Sequence, residues 1–350
     1  MSPILHPPIR LGLIGCGGIA FWAHLRSLRS LQRFQLIVAA DPDPAARQRA
    51  STLTRARLVS DPEEVLQDTD IDALLIAAPS QLHAQLALRA TQFRKPFYLE
   101  KPLAASAEDG LHTLAAIRSA GVTTRIGFNR RYHPVHSLAR QLLRAGTIGA
   151  VRSVQTAFCE PLAGDALPTW KRTRATAGGV LLDLGSHHFD LLRWFLDADI
   201  ESVQAQTTST RSEHDSADVH IVLSNGITAQ SRFSFLTGPV DHLEFHGELG
   251  SLRVDRHHPH PIVRLRRQSG YGLTNASPTL ASSLLRHRAT HLLRPGHDPS
   301  YRLALDGFAN SLLGLPDCGA DASDGWASLA AVLAAERSSD LGQRVPVLKP

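Results

Sequence analysis

Few backbone arrangements accommodate residues 11–20, Leu11-Gly12-Leu13-Ile14-Gly15-Cys16-Gly17-Gly18-Ile19-Ala20. Residues 11–14 form a short apolar run closed by a glycine, the pattern of a buried strand. Gly15, Gly17 and Ala20 then give a G-x-G-x-x-A spacing. Gly15 permits a tight turn out of the strand. Gly17 lets the backbone come close to a bound group, and Ala20 lets the next helix pack on the sheet. Gly18 and Ile19 complete the cradle. The helix N-terminus offers free N–H groups and a positive dipole end, which suit a pyrophosphate. An ordinary strand-to-helix turn carries the same residues, so the rest of the chain has to decide between the two.

That context follows at once. Residues 19–31 have apolar positions near helical spacing, and residues 36–40 form a second buried strand ending at Asp41. Asp43-Pro44 reads as an N-cap with proline at the first helical position. Residues 61–64, Asp-Pro-Glu-Glu, repeat the signal. Further strands are expected at 72–78, 96–99 and 123–127, with helices opened by Ser80 and Ser106 and one closed by Gly121. Strands alternating with helices imply βαβ units and a parallel sheet. Asp41 lies 21 residues after Ala20, at a strand end. A carboxylate there accepts bonds from ribose hydroxyls and repels a 2′-phosphate, which favours NAD. Arg47 and Arg49 lie close enough in sequence to leave NADP possible, and Asp41 can also simply begin a turn.

Beyond residue 148 the pattern changes. Strand character recurs at 151–158, 200–208, 219–223, 227–235 and 243–246, with a hairpin signal at Asn225-Gly226. One helix is expected over 179–195 and two more near 301–313 and 323–337. The fold class is therefore α/β: an N-terminal Rossmann domain, 1–128, then an α+β domain, 129–350, on a mostly antiparallel open sheet. Its uncovered face suits a homodimer or homotetramer. Residues 255–298 read as an irregular insertion rich in arginine and histidine.

Composition narrows the function. Of 350 residues, 43% are hydrophobic and 20% charged, ordinary for a globular chain. No apolar run reaches the roughly 18 residues that span a bilayer, and the first ten residues lack a signal-peptide pattern. A cytoplasmic location and no membrane partner are expected. The net charge of +5 is local, because residues 253–297 hold eight arginines against one acid, Asp255. That concentration, without a reading motif, argues against nucleic acid. Cys16, Cys159 and Cys318 are widely spaced, and His257-His258-Pro259-His260 reads as a solvated loop, so no metal is expected.

Three groups of residues can carry chemistry. Glu100-Lys101-Pro102 sits at the carboxyl end of an expected strand, where open α/β sheets bind ligands. Desolvation and a cationic nicotinamide both favour the neutral amine, so Lys101 suits acid–base work. Lysine is rare here, four residues against 33 arginines, and arginine cannot lose its proton. Asp183 and His187 lie four apart on the expected helix and share a face, after the glycine pair Gly178-Gly179. His187 suits removal of a hydroxyl proton, and Asp183 can orient it or bind a substrate hydroxyl. An incidental ion pair on a capped helix is the plain alternative. Pro79, Ser80 and His83 at a strand-to-helix junction, and Asn129-Arg130 after the last strand of the first domain, can line a cofactor crevice or act as caps.

In this order the motifs resemble the Gfo/Idh/MocA family of glucose–fructose oxidoreductase and inositol dehydrogenase relatives. The likeness runs through Gly15 to Ala20, Pro79-Ser80, His83, Glu100-Lys101-Pro102, Asn129-Arg130, Gly178-Gly179, Asp183 and His187. It implies Lys101 and His187 as acid–base residues with Asp183 beside them. It also implies that Pro79, Ser80, His83, Glu100 and Asn129 border the dinucleotide, and that Trp170, before Lys171, faces cofactor or substrate. The insertion at 255–298 departs from the pattern. The reading is an NAD(P)-dependent oxidoreductase acting on a secondary alcohol of a sugar, cyclitol or sugar derivative, a small-molecule polyol. Two alternatives share the fold: an NAD-dependent glycoside hydrolase working by transient oxidation, and a non-catalytic sensor. A basic insertion with an anionic partner is a further one.

Overall fold

The computed structural model describes residues 7–162, 171–258, 260–266, 275–278 and 298–350. The chain forms two compact units, one of residues 1–132 with 299–326, the other of 133–298 with 327–350. The return of 299–326 to the first unit was not part of the expected division at residue 128.

Among the described residues the first unit holds a six-stranded parallel sheet. Its strands are β1 (Ile9–Ile14), β2 (Phe34–Ala40), β3 (Arg57–Val59), β4 (Ala73–Ile76), β5 (Phe97–Leu99) and β6 (Thr124–Ile126), in the order β3-β2-β1-β4-β5-β6. This is the doubly wound order, whose strand order reverses beside β1 and places a ligand crevice there. Leu11, Leu13, Leu75 and Tyr98 are buried with Leu305 and Phe308 of the returning helix Ser300–Leu312. Arg125 and Tyr132 both bond Asp317, at 2.7 Å each, and Arg131 pairs with Asp324 at 3.0 Å. These contacts hold 299–326 on the unit.

Capping agrees with the sequence signals at Asp43, Ser106 and Gly121 but not at Ser80, which lies inside a 3₁₀ turn, the helix His83–Gln92 that follows having no side-chain cap. Asp43 accepts from the N–H groups of Ala45 and Ala46 with Pro44 following, Ser106 accepts from Asp109, and Gly121 closes its helix at φ +64°. The helix after the glycine loop differs. It opens as a π-turn, Ala20–His24, before the α-turn Leu25–Leu28.

The second unit holds, among the described residues, a nine-stranded sheet. Its strands are β7 (Val151–Cys159), β8 (Ile200–Thr208), β9 (Ser216–Leu223), β10 (Thr228–Ser234), β11 (Val240–Gly247), β12 (Gly250–Asp255), β13 (Ile262–Arg266), β14 (Asn275–Pro278) and β15 (Val345–Pro346). Their order is β14-β13-β12-β11-β7-β10-β9-β8-β15, and only β7 and β10 pair in parallel. The insertion is thus not irregular throughout: β13 pairs β12 and β14 pairs β13. The basic, proline-rich composition masked this pairing, which depends on a neighbouring strand rather than on local propensity.

One sheet face is apolar and covered. Phe233 meets Phe189 of the helix Ser186–Leu196 edge-on at 5.8 Å, and Phe245 meets Phe195 at 5.0 Å. Ser338 of the helix Ala322–Leu341 accepts from the Ala205 N–H at 2.9 Å. The other face is polar, because period-2 alternation points Gln155, Gln204, Gln206 and Gln230 outward. The insertion is anchored at both ends. Arg256 bonds Asp241 at 2.6 Å and Asp298 at 2.5 Å, and Asp241 also meets the buried His188 at 3.2 Å.

Candidate active site

In the first unit the site begins at the carboxyl end of β1. Gly15 has φ +95°, and a Cβ there would press on the Ala77 carbonyl. Only glycine meets both conditions. Gly17 and Gly18 are the opposite case: a Cβ on either would meet nothing within 4 Å. Their space is open at the helix N-terminus, where an anion is favoured. Ile19 is partly exposed beside it, while Ala20 is fully buried under the π-turn.

Asp41 stands at the end of β2 with its carboxylate fixed. Oδ2 accepts from the Cys16 N–H at 2.7 Å and Oδ1 from the Asp43 N–H at 2.9 Å. A carboxylate has about four acceptor directions, so two bonds leave capacity for a ribose diol. Arg47 turns back to the carbonyls of Asp41 and Pro42, at 2.6 and 3.0 Å. It is therefore engaged away from a 2′-phosphate role. Burial, then Asp41, pushes the Cys16 thiol up to about 12, so this cysteine is chemically inert. An open cradle, a closed turn and an oriented carboxylate fit an NAD dinucleotide.

The loops after β4 and β5 complete this end of the sheet. Pro79 is exposed, and Ser80 is buried at the start of a short 3₁₀ turn, Ser80–Leu82. His83 is buried with both ring nitrogens on carbonyls, Nδ1 2.6 Å from Pro102 O and Nε2 2.9 Å from Ala78 O. A neutral imidazole donates one proton, to one of these two carbonyls. Burial lowers the His83 pKa, with the two carbonyl bonds opposing in part. Glu100 is buried and Lys101 half-buried. Asn129 is buried and donates to Ser300 Oγ at 2.7 Å, so it also ties down the returning helix.

Sequence reasoning passed over His24. It is fully buried on the π-turn, and its Nε2 lies 2.7 Å from Glu100 Oε1. No motif spacing marks it, since the contact spans 76 residues.

In the second unit Asp183 lies in a second π-turn, Leu181–Gly185, and His187 in the first turn of the α-helix that follows. The regular α-helix expected across both is therefore interrupted. The Asp183 carboxylate meets Lys171 Nζ at 2.6 Å. Lys171 was noted only as Trp170's neighbour, and Trp170 lies outside the described residues. The glycine pair has its reason here. A Cβ on Gly178 would run into the backbone of Lys171 and Thr173, and Gly179 has φ +100°. His187 is half-buried, with the Phe158 ring 6.3 Å away. Among the described residues no group of three or more metal-ligand side chains occurs.

Two family models match the chain. One, described as an oxidoreductase family with an NAD-binding Rossmann fold, covers residues 9–128, and a GFO/IDH/MocA C-terminal domain covers 136–253. An inositol 2-dehydrogenase of Acidothermus cellulolyticus is 31% identical over 73% of this chain and 75% of its own length. A dTDP-3,4-didehydro-2,6-dideoxy-alpha-D-glucose 3-reductase of Actinomadura kijaniata is 30% identical over 76% of this chain and 82% of its own. The solved WlbA dehydrogenase from Bordetella pertussis, in complex with NADH and UDP-GlcNAcA, has a TM-score of 0.81 at 24% identity. The match covers 99% of this chain and all of that one, a likeness of fold.

Proposed function

The chain belongs to the Gfo/Idh/MocA oxidoreductase family, and on that premise we propose an NAD-dependent dehydrogenase acting on a secondary alcohol of a sugar, cyclitol or sugar derivative. The observation that carries this reading is the cradle at Gly15, Gly17 and Gly18 with the oriented Asp41 carboxylate. The names of the relatives, an inositol dehydrogenase and a dTDP-sugar reductase, support a polyol substrate.

The N–H groups after Gly17, Gly18 and Ile19 receive the pyrophosphate, and Asp41 accepts from the ribose. Bound NAD supplies the hydride acceptor. Lys101 and His187 handle the proton of the substrate hydroxyl, and Asp183, held by Lys171, orients hydroxyl groups. Pro79, Ser80, His83, Glu100 and Asn129 shape the loops on the cofactor side.

The polar sheet face has a concavity of about 840 Å³ lined by Gln155, Gln204, Asp218, Gln230 and Arg232, which favours a homodimer or homotetramer through that face. No disulfide joins Cys16, Cys159 and Cys318, which favours a reducing, cytoplasmic setting.

The test is reduction of NAD and NADP, read by absorbance, across a panel of inositols, hexoses and sugar nucleotides. Lys101→Ala is expected to lower turnover by about two to four orders of magnitude while NADH affinity stays within about threefold. Unchanged turnover would remove Lys101 from the mechanism.

A further inference from the structure

Lys171 and Asp183 pair at 2.6 Å, and the loop that brings the lysine there is tied down at a distance from the pair. Arg174, three residues on, opens a 3₁₀ turn, Arg174–Thr176. Its guanidinium donates to Glu336 Oε2 at 2.7 Å and lies 3.6 Å from Asp340 Oδ2, both on the helix Ala322–Leu341. Its backbone N–H donates to Glu213 Oε2 at 2.6 Å, and the Glu213 N–H donates to the Arg172 carbonyl at 3.0 Å. The loop also closes on itself. Gly178 N–H bonds the Thr173 carbonyl at 2.8 Å, and Gly179 N–H the Lys171 carbonyl at 3.3 Å. Left-handed backbone occurs here at Ala177 (φ +56°) and, beside Gly179, at His214 (φ +48°). Such residues cost about 1–3 kcal/mol each and persist where their surroundings hold them. The helix Ala322–Leu341 also reaches the segment bearing His187. Ser328 Oγ donates to the carbonyl of Ser186, the residue before it, at 2.9 Å. Ser328 and Glu336 are two turns apart, about 12 Å along the axis, so one rigid element contacts both the His187 helix and the Lys171 loop.

We propose that Arg174 is a positioning residue for the Lys171–Asp183 pair, acting through the backbone of residues 171–174. The proposal rests on the reading of Asp183 as the group that orients substrate hydroxyls. That task needs a carboxylate that is ionised and fixed in direction, and an ammonium in contact with it favours both. The ammonium must itself be placed. Lysine has a flexible four-carbon stem with about 2 kcal/mol of rotamer entropy, so its head is placed no better than its backbone. Arg174 holds that backbone against the helix whose Ser328 holds the His187 segment. The separation of the two segments is thereby set by one helix. Stability is a poor account of the Arg174–Glu336 contact. Glu336 is buried, and burial raises its pKa, with Arg174 opposing. Desolvating such a carboxylate cancels most of what the pair returns. Its place, three residues from Lys171 in a loop with left-handed backbone, is accounted for by orientation.

The test needs no substrate. The full chain is treated with acetic anhydride at pH 8, and acetylation of Lys171 is measured by mass spectrometry against exposed Lys349 as internal reference. Asp183→Asn removes the partner carboxylate and is expected to raise the Lys171-to-Lys349 ratio at least about fivefold, because the loss of an ion-pair partner favours the neutral, reactive amine. Arg174→Met keeps the aliphatic stem and removes the guanidinium, with Arg174→Gln in its place should the methionine chain not fold. It is expected to raise the ratio at least about threefold. Glu336→Gln keeps an acceptor for Arg174, and its ratio is expected to stay close to that of the unaltered chain. The double variant Arg174→Met/Asp183→Asn is expected to show no rise beyond Asp183→Asn alone, since Arg174 acts through the pair; a loop loosened for purely structural reasons would add a rise of its own. An unchanged ratio in Asp183→Asn or in Arg174→Met, a rise in Glu336→Gln equal to that in Arg174→Met, or a further rise in the double variant overturns the proposal. Each of those results leaves the role of Asp183 toward substrate intact, because turnover of Asp183→Asn decides that separately.

Discussion

Gly15 and Gly17 stand two residues apart in one motif, yet the structure assigns them opposite sensitivities. At Gly15 an alanine would have to adopt φ +95°, costing about 1–2 kcal/mol, and its Cβ would press on the backbone of Ala77 and Ala78. Backbone cannot swing aside as a side-chain end can, and overpacking adds about 1–3 kcal/mol. Gly15→Ala is therefore expected to lose about 2–5 kcal/mol in urea denaturation, the sum of those two ranges. At Gly17 a Cβ meets nothing within 4 Å and the backbone needs no left-handed conformation. Gly17→Ala should be neutral or should gain up to about 1 kcal/mol through a less flexible unfolded chain. Its cost should appear on binding, where the Cβ enters the space assigned to the pyrophosphate. A tenfold weaker NADH Kd, about 1.4 kcal/mol, is the smallest loss expected in a fluorescence titration. The reverse pattern, with Gly17→Ala unstable but binding NADH normally, would refute the cradle.

Three further outcomes follow from the same geometry. Asp41→Ser should reduce the preference for NAD over NADP at least tenfold in a competition titration with the two reduced cofactors; an unchanged preference would free Asp41 from the ribose role. Arg256→Ala leaves the buried Asp241 and the partly exposed Asp298 without their guanidinium, so it should cost about 3–5 kcal/mol in urea denaturation of the full chain, and a loss under about 1 kcal/mol would show that the clamp is idle. Burial lowers the His83 pKa below its unfolded value of about 6.5, so as pH falls through about 6.5 the unfolded chain takes up a proton that the folded chain refuses. Stability then declines by up to about 1.4 kcal/mol per pH unit, with His214 and His242 acting in the same direction. His83→Asn should flatten the urea midpoint between pH 7 and pH 5; an equal slope in both chains would refute the assignment.

The parallel half of the fold was legible because its signals are local. An apolar run ending at Gly15, the Asp43-Pro44 cap, Ser106 and Gly121 each specify backbone within a few residues. Strands in the second unit were legible where alternation was long, as in β7, β8 and β10. They were not where the strand depends on its neighbour: β13 exists because β12 offers it an edge, and a run of arginine, histidine and proline gives no such hint. The return of 299–326 is a pairing of distant segments through Arg125, Tyr132 and Asp317, which no periodicity encodes.

The site shows the same limit more sharply. Hydrophobic spacing announces a helix at 19–31 and at 179–195, but it carries no information on pitch. Both helices open with a π-turn, and each such turn inserts a residue that shifts the phase of everything after it. Judged by α-helical spacing alone, His24 is an unremarkable position and Asp183 shares a face with His187. With the π-turns in place, His24 reaches Glu100 across 76 residues and Asp183 meets Lys171. A π-turn has poorer packing and bonding than an α-turn, so local energetics alone would remove it. That both occur on segments bearing candidate chemistry argues that the placement of these side chains, and not the stability of the helices, sets the local geometry.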